Sequence, residues 1–326
     1  MTRQLKPDYL IRLRRDNLSP AAPGSFTRLE IEAALNGGAD SAVVSFGSDL
    51  DPMPDLDDPL RIELGWSGER SLVFTGAVVG IEPGLRGWQL RALNPLHRLM
   101  RTRASTAFEN MTAGKIVTTL ANQAGVEPGR IEEGGRTRYW YLNNQQPYQG
   151  CLTLARREGF DLYATEEGKL TFTRFARRKG DHVLPHGRDI LRLSVSFGRQ
   201  IAGATVVPES PASSSGDETA GWLVKDPSSH AATEGDENVL VVSDPMLRTR
   251  EAAATAAKAI VAASRAAMLI ANVSLVGRPE VRLGQAVELK GVPTEGVDGV
   301  YQVAAVRHVL DARRFRTTLQ LTRISA

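Results

Sequence analysis

From Val281 to Thr322 the chain closes on a pattern that an earlier stretch repeats, and this repetition limits the possible folds more than any other feature. Val287-Glu288-Leu289 alternates apolar and polar residues, Gly299 to Val306 does so loosely, and Phe315 to Leu321 alternates again. Period-two alternation sends successive side chains to opposite faces of a strand, so the stretch predicts three successive antiparallel strands. Near the front, Ile62-Glu63-Leu64, Phe74 to Ile81 and Trp88 to Leu93 run in the same order. In both places a glycine, Gly76 or Gly299, leads into the middle strand, and an aromatic residue, Trp88 or Phe315, opens the last. The spacings differ by a few residues, which hairpin loops absorb. A unit repeated within one chain decides the architecture before other features do. The expected fold is α+β and mainly β, with two similar small β-barrels, an inserted α+β unit and one long Ala-rich helix.

A chain of 326 residues has room for two or three domains, each with its own core. The pattern divides it into a first barrel over 1–93, an inserted α+β domain over 94–183 and a second barrel over 184–326. The formal charge of +3 gives a nucleic-acid role no support. Basic runs such as Arg12-Leu13-Arg14-Arg15 and Arg174 to Lys179 read as solvated faces. The single cysteine, Cys151, excludes an internal disulfide and every multi-cysteine zinc site, and reads as a small buried residue on a helix. The first residues lack the apolar core of a signal peptide, and the longest apolar run, Met268 to Val276, is too short to span a bilayer. Synthesis in the cytosol without Sec-type export is expected.

Along the chain, Tyr9 to Leu13 and Phe26 to Ala33 read as paired strands, and Asp40 to Phe46 continues the sheet. Asp49 to Pro59 then brings three prolines and five aspartates. It lacks the glycine and terminal glutamate of an EF-hand, so it reads as a rigid exposed loop. After Leu93 the period changes. Asn94-Pro95 opens a short helix; Thr112 caps a second in which Ile116, Val117, Leu120, Ala121 and Ala124 share a face and which Gly125 ends; a third runs from Tyr148 to Glu158 and ends at Gly159. Phe160 to Ala164 and Lys169 to Thr173 flank Glu166-Glu167-Gly168 as a hairpin. Ile190 to Phe197 and Gly203 to Val207 resume β structure. Residues 208–238 lose periodicity and cannot bury enough apolar surface to offset their ordering entropy, so a long mobile loop is expected, with Trp222-Leu223-Val224 a short strand inside it. Asp244-Pro245 opens the longest helix, over 244–268, with Ala253, Ala257, Ile260, Val261, Ser264 and Met268 on one narrow face.

No catalytic constellation stands out. The chain has no G-x-S-x-G, no H-E-x-x-H and no Gly-rich nucleotide loop. His182 and His186 stand four apart, but Pro185 between them denies the helix that would align them. His308 falls in a predicted strand, where it reads as a wall or interface histidine. Glu132-Glu133 and Glu166-Glu167 are adjacent carboxylates whose spacing in sequence says nothing about the separation a glycosidase needs. No catalytic residue, cofactor or metal ligand is assigned, and the chain is not expected to be an enzyme.

The order of elements, together with Ala92-Leu93-Asn94-Pro95-Leu96-His97-Arg98-Leu99, Thr112 to Val117, Ala121 to Val126, Leu154 to Tyr163, Gly168 to Phe172, Gly284, Val287 to Leu289, Gly299 to Val303, Val306-Arg307-His308 and Thr317-Thr318, resembles the phage late-control protein D family. That family supplies the baseplate hub of contractile phage tails and is similar to the hub region of type VI secretion spike proteins. The likeness covers about Tyr9 to Leu321, and its motifs mark strands and turns rather than chemistry. Two departures stand out: Gln145 to Cys151 replaces the family's usual approach to the third helix, and no β-helical spike tip follows Ala326.

The resemblance implies a homotrimeric adaptor whose six barrels join a hexameric tail tube to a trimeric spike made by a separate protein. Other baseplate proteins and the tape measure protein would be neighbours, with DNA passing only through the assembled channel. A phage tail, a tailocin and a secretion-like injection particle would use such an adaptor alike. Ile62, Leu64, Val78, Val287, Leu289, Tyr301 and Val303 are the strand residues assigned to assembly. A tail-associated peptidoglycan hydrolase and a carbohydrate- or nucleic-acid-binding β protein are the alternatives.

Overall fold

The computed structural model describes residues 6–14, 16–18, 26–47, 53–84, 87–176, 179–199, 201–207, 231–244, 246–247 and 249–324. The front third forms seven strands: β1 (Pro7–Leu13), β2 (Asp16–Leu18), β3 (Phe26–Ala34), β4 (Ser41–Phe46), β5 (Pro59–Trp66), β6 (Glu69–Gly84) and β7 (Gly87–Leu93). The middle holds α1 (Leu96–Arg101), β8 (Ala104–Thr112), α2 (Ala113–Gln123), β9 (Pro128–Ile131), β10 (Arg136–Gln145), α3 (Pro147–Glu158), β11 (Asp161–Ala164) and β12 (Leu170–Thr173). The back third comprises β13 (His182–Pro185), β14 (Ile190–Phe197), β15 (Gly203–Val207), β16 (Ala232–Glu234), β17 (Val239–Ser243), α4 (Arg250–Ala267), β18 (Leu269–Val276), β19 (Ala286–Lys290), β20 (Gly299–Asp311) and β21 (Arg314–Arg323). The chain is thus mainly β, and among the described residues no helix is long and apolar enough to cross a membrane.

The repeat is real and can be read residue by residue from the ladders. In the front unit the strands lie in the order β3-β4-β7-β6-β5-β1, and in the back unit β14-β18-β21-β20-β19-β13. Matched by place, the two orders also match by position in the chain. Irregularities coincide as well. The β6–β7 ladder slips between Val78 and Gly80, and the β20–β21 ladder slips between Val303 and Ala305. The β3–β4 ladder slips between Phe26 and Arg28, and the β14–β18 ladder between Ile190 and Arg192. A bulge adds one unpaired residue and bends its strand, so two bulges at matching places are a shared shape rather than shared composition. The sixth strand departs: β1 runs antiparallel to β5, whereas β13 runs parallel to β19.

The ladders correct the sequence alignment by two residues. Pro59 faces Ala77 as Ala286 faces Gln302, so Val287 corresponds to Leu60 and Leu289 to Ile62. Gly76 therefore corresponds to Tyr301 rather than Gly299, and Trp88 to Thr317 rather than Phe315. Gly76 answers a local need, because a Cβ there would lie 2.3 Å from the Leu93 carbonyl oxygen where β6 passes from β5 to β7.

Each unit keeps its own core. Ile11, Leu29, Ile31, Val44, Ile62, Leu64 and Leu90 fill the front one; Val273, Val287, Leu289, Tyr301, Val303, Leu319 and Leu321 fill the back one. Strand β20 also pairs with β3, which joins the two units in one 13-stranded sheet.

The middle segment packs α2 and α3 over Trp140, Phe160 and Phe172 as a third core. Thr112 caps α2, accepting from the Lys115 amide, and Gly159 ends α3 with a left-handed backbone at φ +66°. The unusual approach to α3 does not weaken its packing: Tyr148, Cys151 and Leu152 are all buried. Helix α4 lies on the small β16-β15-β17 sheet and forms a fourth core through Ala253, Ala257 and Val261. It starts at Arg250, not at Asp244. Thr249 is its cap, and the Asp244 carboxylate instead takes the Met246 amide and the Arg157 guanidinium. Residues 208–230, including Trp222-Leu223-Val224, lie outside the described residues. Downstream of them the expected loop gives way to β16, paired with β15.

Candidate assembly surface

The seven residues assigned to assembly from the sequence are all in the interior. Ile62, Leu64, Val78, Val287, Leu289, Tyr301 and Val303 have no exposed side chain to offer a second subunit. Their alternation marked the two cores, since apolar alternation reports which face of a strand is dry. What a sheet presents to a neighbour along its plane is the backbone at a strand edge.

One such edge is already used. Strands β20 and β3 are antiparallel, with Val306 opposite Ala33, Arg307 opposite Glu32 and His308 opposite Ile31. This inner seam starts where the pairing of β20 with β19 stops, beside Ala286. The Val303 amide donates to the Gln285 carbonyl at 2.9 Å, and one residue on, the Ala304 carbonyl accepts from the Leu35 amide at 2.9 Å. On the dry face Leu29, Ile31, Val306 and Leu310 are buried. On the wet face Arg307 lies between two carboxylates, its Nε donating to Glu30 Oε1 at 2.8 Å and standing 2.9 Å from Glu32 Oε1. Both faces thus close the seam, one by burial and one by charge.

Other edges lack a partner among the described residues, those of β14 and of the end of β6 among them. The sheet path ends at β14, where Leu191 and Phe197 are 56% and 65% exposed. Beyond Val78, β6 has β7 on one side only: the Val78 amide and carbonyl are the last to bond towards β5, through Asp58 and Asp57.

A cavity of about 30 Å³ lies where the front unit, the middle segment and the back unit meet, and Asp40, Thr75, Asn94, Glu166, Arg282 and His308 line it. That is room for one or two water molecules. Asp40 Oδ2 accepts from Asn94 Nδ2 at 2.6 Å and Oδ1 accepts from the Ala34 amide at 3.2 Å. Burial outweighs these bonds and pushes its carboxyl up to about 7. Burial holds His308 down to about 4, with Nδ1 2.9 Å from Thr317 Oγ1. His308 is therefore a neutral residue of the inner seam. A groove of about 360 Å³, lined by Gly37, Gly38, Asn272, Thr318 and Gln320, runs beside the same seam.

The other residues considered for chemistry are separated. His182 Nε2 lies 3.0 Å from Gln285 Oε1, and His186 is exposed at the far end of β13. Glu132 is engaged by Thr173 and Arg130, and Glu166 lies 3.6 Å from Arg282. Cys151 is buried, its thiol pushed up to about 12 by desolvation. In the aspartate-rich loop Asp58 accepts from the Asp55 amide and pairs with Arg14, which is turn-making work. Among the described residues no three His, Cys, Asp or Glu side chains gather as a metal ion requires.

No family model matches the chain, and no curated protein matches it. Solved structures do. The 43 kDa tail protein of prophage MuSo2 from Shewanella oneidensis is 16% identical, covers 98% of each chain and superposes with a TM-score of 0.74. The tail protein from Neisseria meningitidis MC58 is also 16% identical, over 97% of this chain and 96% of its own, with a TM-score of 0.72. The c3393 protein of E. coli, a component of the type VI secretion system, is 9% identical over 97% of this chain and 77% of its own, with a TM-score of 0.60. At these identities the likeness is one of fold.

Proposed function

Given that the chain has the fold of phage tail proteins, we propose that it is a baseplate hub: a homotrimeric adaptor between a hexameric tail tube and a trimeric spike. One observation carries this reading. The two halves share strand order and bulge positions, so each chain offers two nearly equivalent β units. Three chains then offer six, and threefold symmetry on one side meets sixfold symmetry on the other.

The role is mechanical: the adaptor binds and transmits force, without turnover. The continuous sheet through β20 and β3 suits it, because load along the ring crosses a hydrogen-bonded ladder with buried side chains on one face. Assembly takes place in the virion tail or injection particle, next to the tube protein, the spike and further baseplate proteins.

Co-expression with the neighbouring tail genes tests the proposal. Negative-stain images of the purified complex should show a ring seated between tube and spike, with three copies of this chain by native mass. A complex with one or six copies would overturn it.

A further inference from the structure

The inner seam has an unfilled counterpart. We propose that the free edge of β14 in one copy pairs, antiparallel, with residues 79–83 of β6 in the next copy, in the register the chain already uses between β3 and β20. This inference rests on the ring reading above and names the edges that close the ring.

The register follows from the matched bulges. Strand β14 stands where β3 stands, with Phe197 in the place of Ala33, Ser196 of Glu32 and Val195 of Ile31. Strand β6 stands where β20 stands, with Ile81 in the place of Val306, Glu82 of Arg307 and Pro83 of His308. Transferring the inner seam sets Ile81 opposite Phe197, Glu82 opposite Ser196 and Pro83 opposite Val195. The match is chemical as well as geometric. The largest exposed apolar side chain of β14, Phe197, gains an apolar partner in Ile81, and polar Glu82 meets polar Ser196. A register displaced by one residue would set Phe197 against Glu82.

Among the described residues no strand takes up the backbone on either side. Val78 donates to the Asp58 carbonyl as Val303 donates to the Gln285 carbonyl, and the next carbonyl, Val79 here, is the one that in the inner seam accepts from Leu35. Its partner by the same transfer is the Arg199 amide.

The two seams are not equal. Bonded and non-bonded pairs alternate along an antiparallel ladder, so starting from the Leu35–Ala304 bond, Ile81 and Pro83 fall at positions whose amides point to the new neighbour. Proline has no amide to give, and the outer seam ends there. The carboxylate clasp around Arg307 is also missing, since Ser194 and Ser196 replace Glu30 and Glu32. The outer seam is the shorter and weaker, as expected of the one that forms last.

Glu82 and Ser196 are exposed and fall at a non-bonded pair, where Cα atoms come within disulfide reach. The full chain carrying Glu82→Cys and Ser196→Cys should oxidise to covalent multimers ending at the trimer. Glu82→Cys with Ser194→Cys, displaced along the strand, should cross-link at least tenfold less. Glu32→Cys with Arg307→Cys, the inner counterpart, should close within one chain and shows that such sites oxidise; buried Cys151 stays apart. Phe197→Asp, at an exposed site, should leave a folded monomer by circular dichroism and native mass. If native mass gives trimers while Glu82→Cys/Ser196→Cys remains uncross-linked, this pairing is wrong and the ring reading stands. A chain that stays monomeric at the highest soluble concentration overturns both.

Discussion

Asp57 and Gly284 hold the same backbone shape in the two halves, at φ +67° and +68°, and each donates its amide to a middle-strand valine, Val78 at 2.8 Å and Val303 at 3.1 Å. Each turns the chain into its unit's next strand, β5 or β19. The left-handed shape is therefore part of the repeated unit, while the residue that adopts it is not.

Substitution should expose the difference. A Cβ at Gly284 would meet Tyr163 Oη at 2.9 Å in addition to the cost of positive φ. Gly284→Ala should lose about 1–2 kcal/mol in urea unfolding. Asp57→Gly relieves backbone strain but frees the unfolded chain, and should stay within about 0.5 kcal/mol of the parent. Equal stability of the parent and Gly284→Ala would show that the turn relaxes.

Stability should tilt with pH in opposite senses when either buried group at the seam is removed. His308 takes a proton only near pH 4 when folded but near 6.5 when unfolded, so between those values the unfolded chain binds more protons and acid weakens the protein. Relative to His308→Gln, the parent should gain on the order of 3 kcal/mol as pH rises from 4 to 6.5. Asp40 runs the other way. Its folded carboxyl keeps its proton up to about 7, against 3.8 as the ordinary value, so the parent should lose ground to Asp40→Asn as pH rises from 4 to 7. Urea midpoints at pH 4.5, 6 and 7.5 decide the matter; parallel curves for parent and variants would mean that both groups are solvated.

The period of the strands was legible in the sequence, and their register was not. Val287 and Leu289 lie on the same face as Ile62 and Leu64, as alternation required, but the ladders shift the match by two residues. A period-two pattern fixes the face and leaves every even displacement open. Helices α2 and α3 were legible because Thr112 and Gly159 do at their ends what those residue types commonly do. Helix α4 was read six residues too early, because a distant arginine takes the carboxylate that would have capped it. Buried Asp40 was read only as the first residue of a strand that starts at Ser41, and nothing in the sequence marked its carboxyl as buried. The edges of β6 and β14 gave no signal of their own, since every residue carries the same backbone groups. Phe197 was a trace of one, an apolar residue in phase with Leu193 and Val195 but left in solvent.

Arg157 and Asp244 join the middle segment to the α4 unit, and their loss should be felt on one side more than the other. The guanidinium meets the carboxylate through two bonds of 2.7 Å, and both side chains are mostly shielded. A forked pair of this kind is stronger than a surface contact, and removing one member leaves a partly buried charge without its counterpart. Arg157→Ala should cost about 2 kcal/mol in total. Arg157→Lys should recover less than half, because an ammonium cannot span both oxygens. Asp244 also holds the Met246 amide at 3.0 Å, so Asp244→Asn should keep the turn and lose the pairing. The core formed by α4 with β15 and β16 is separate from that of the front unit, so the damage has a direction. Hydrogen exchange should quicken in Arg250–Ala267 and Gly203–Val207 while Ser41–Phe46 and Gly87–Leu93 keep their protection. Uniform quickening across all four segments would mean that the α4 unit unfolds only with the whole chain.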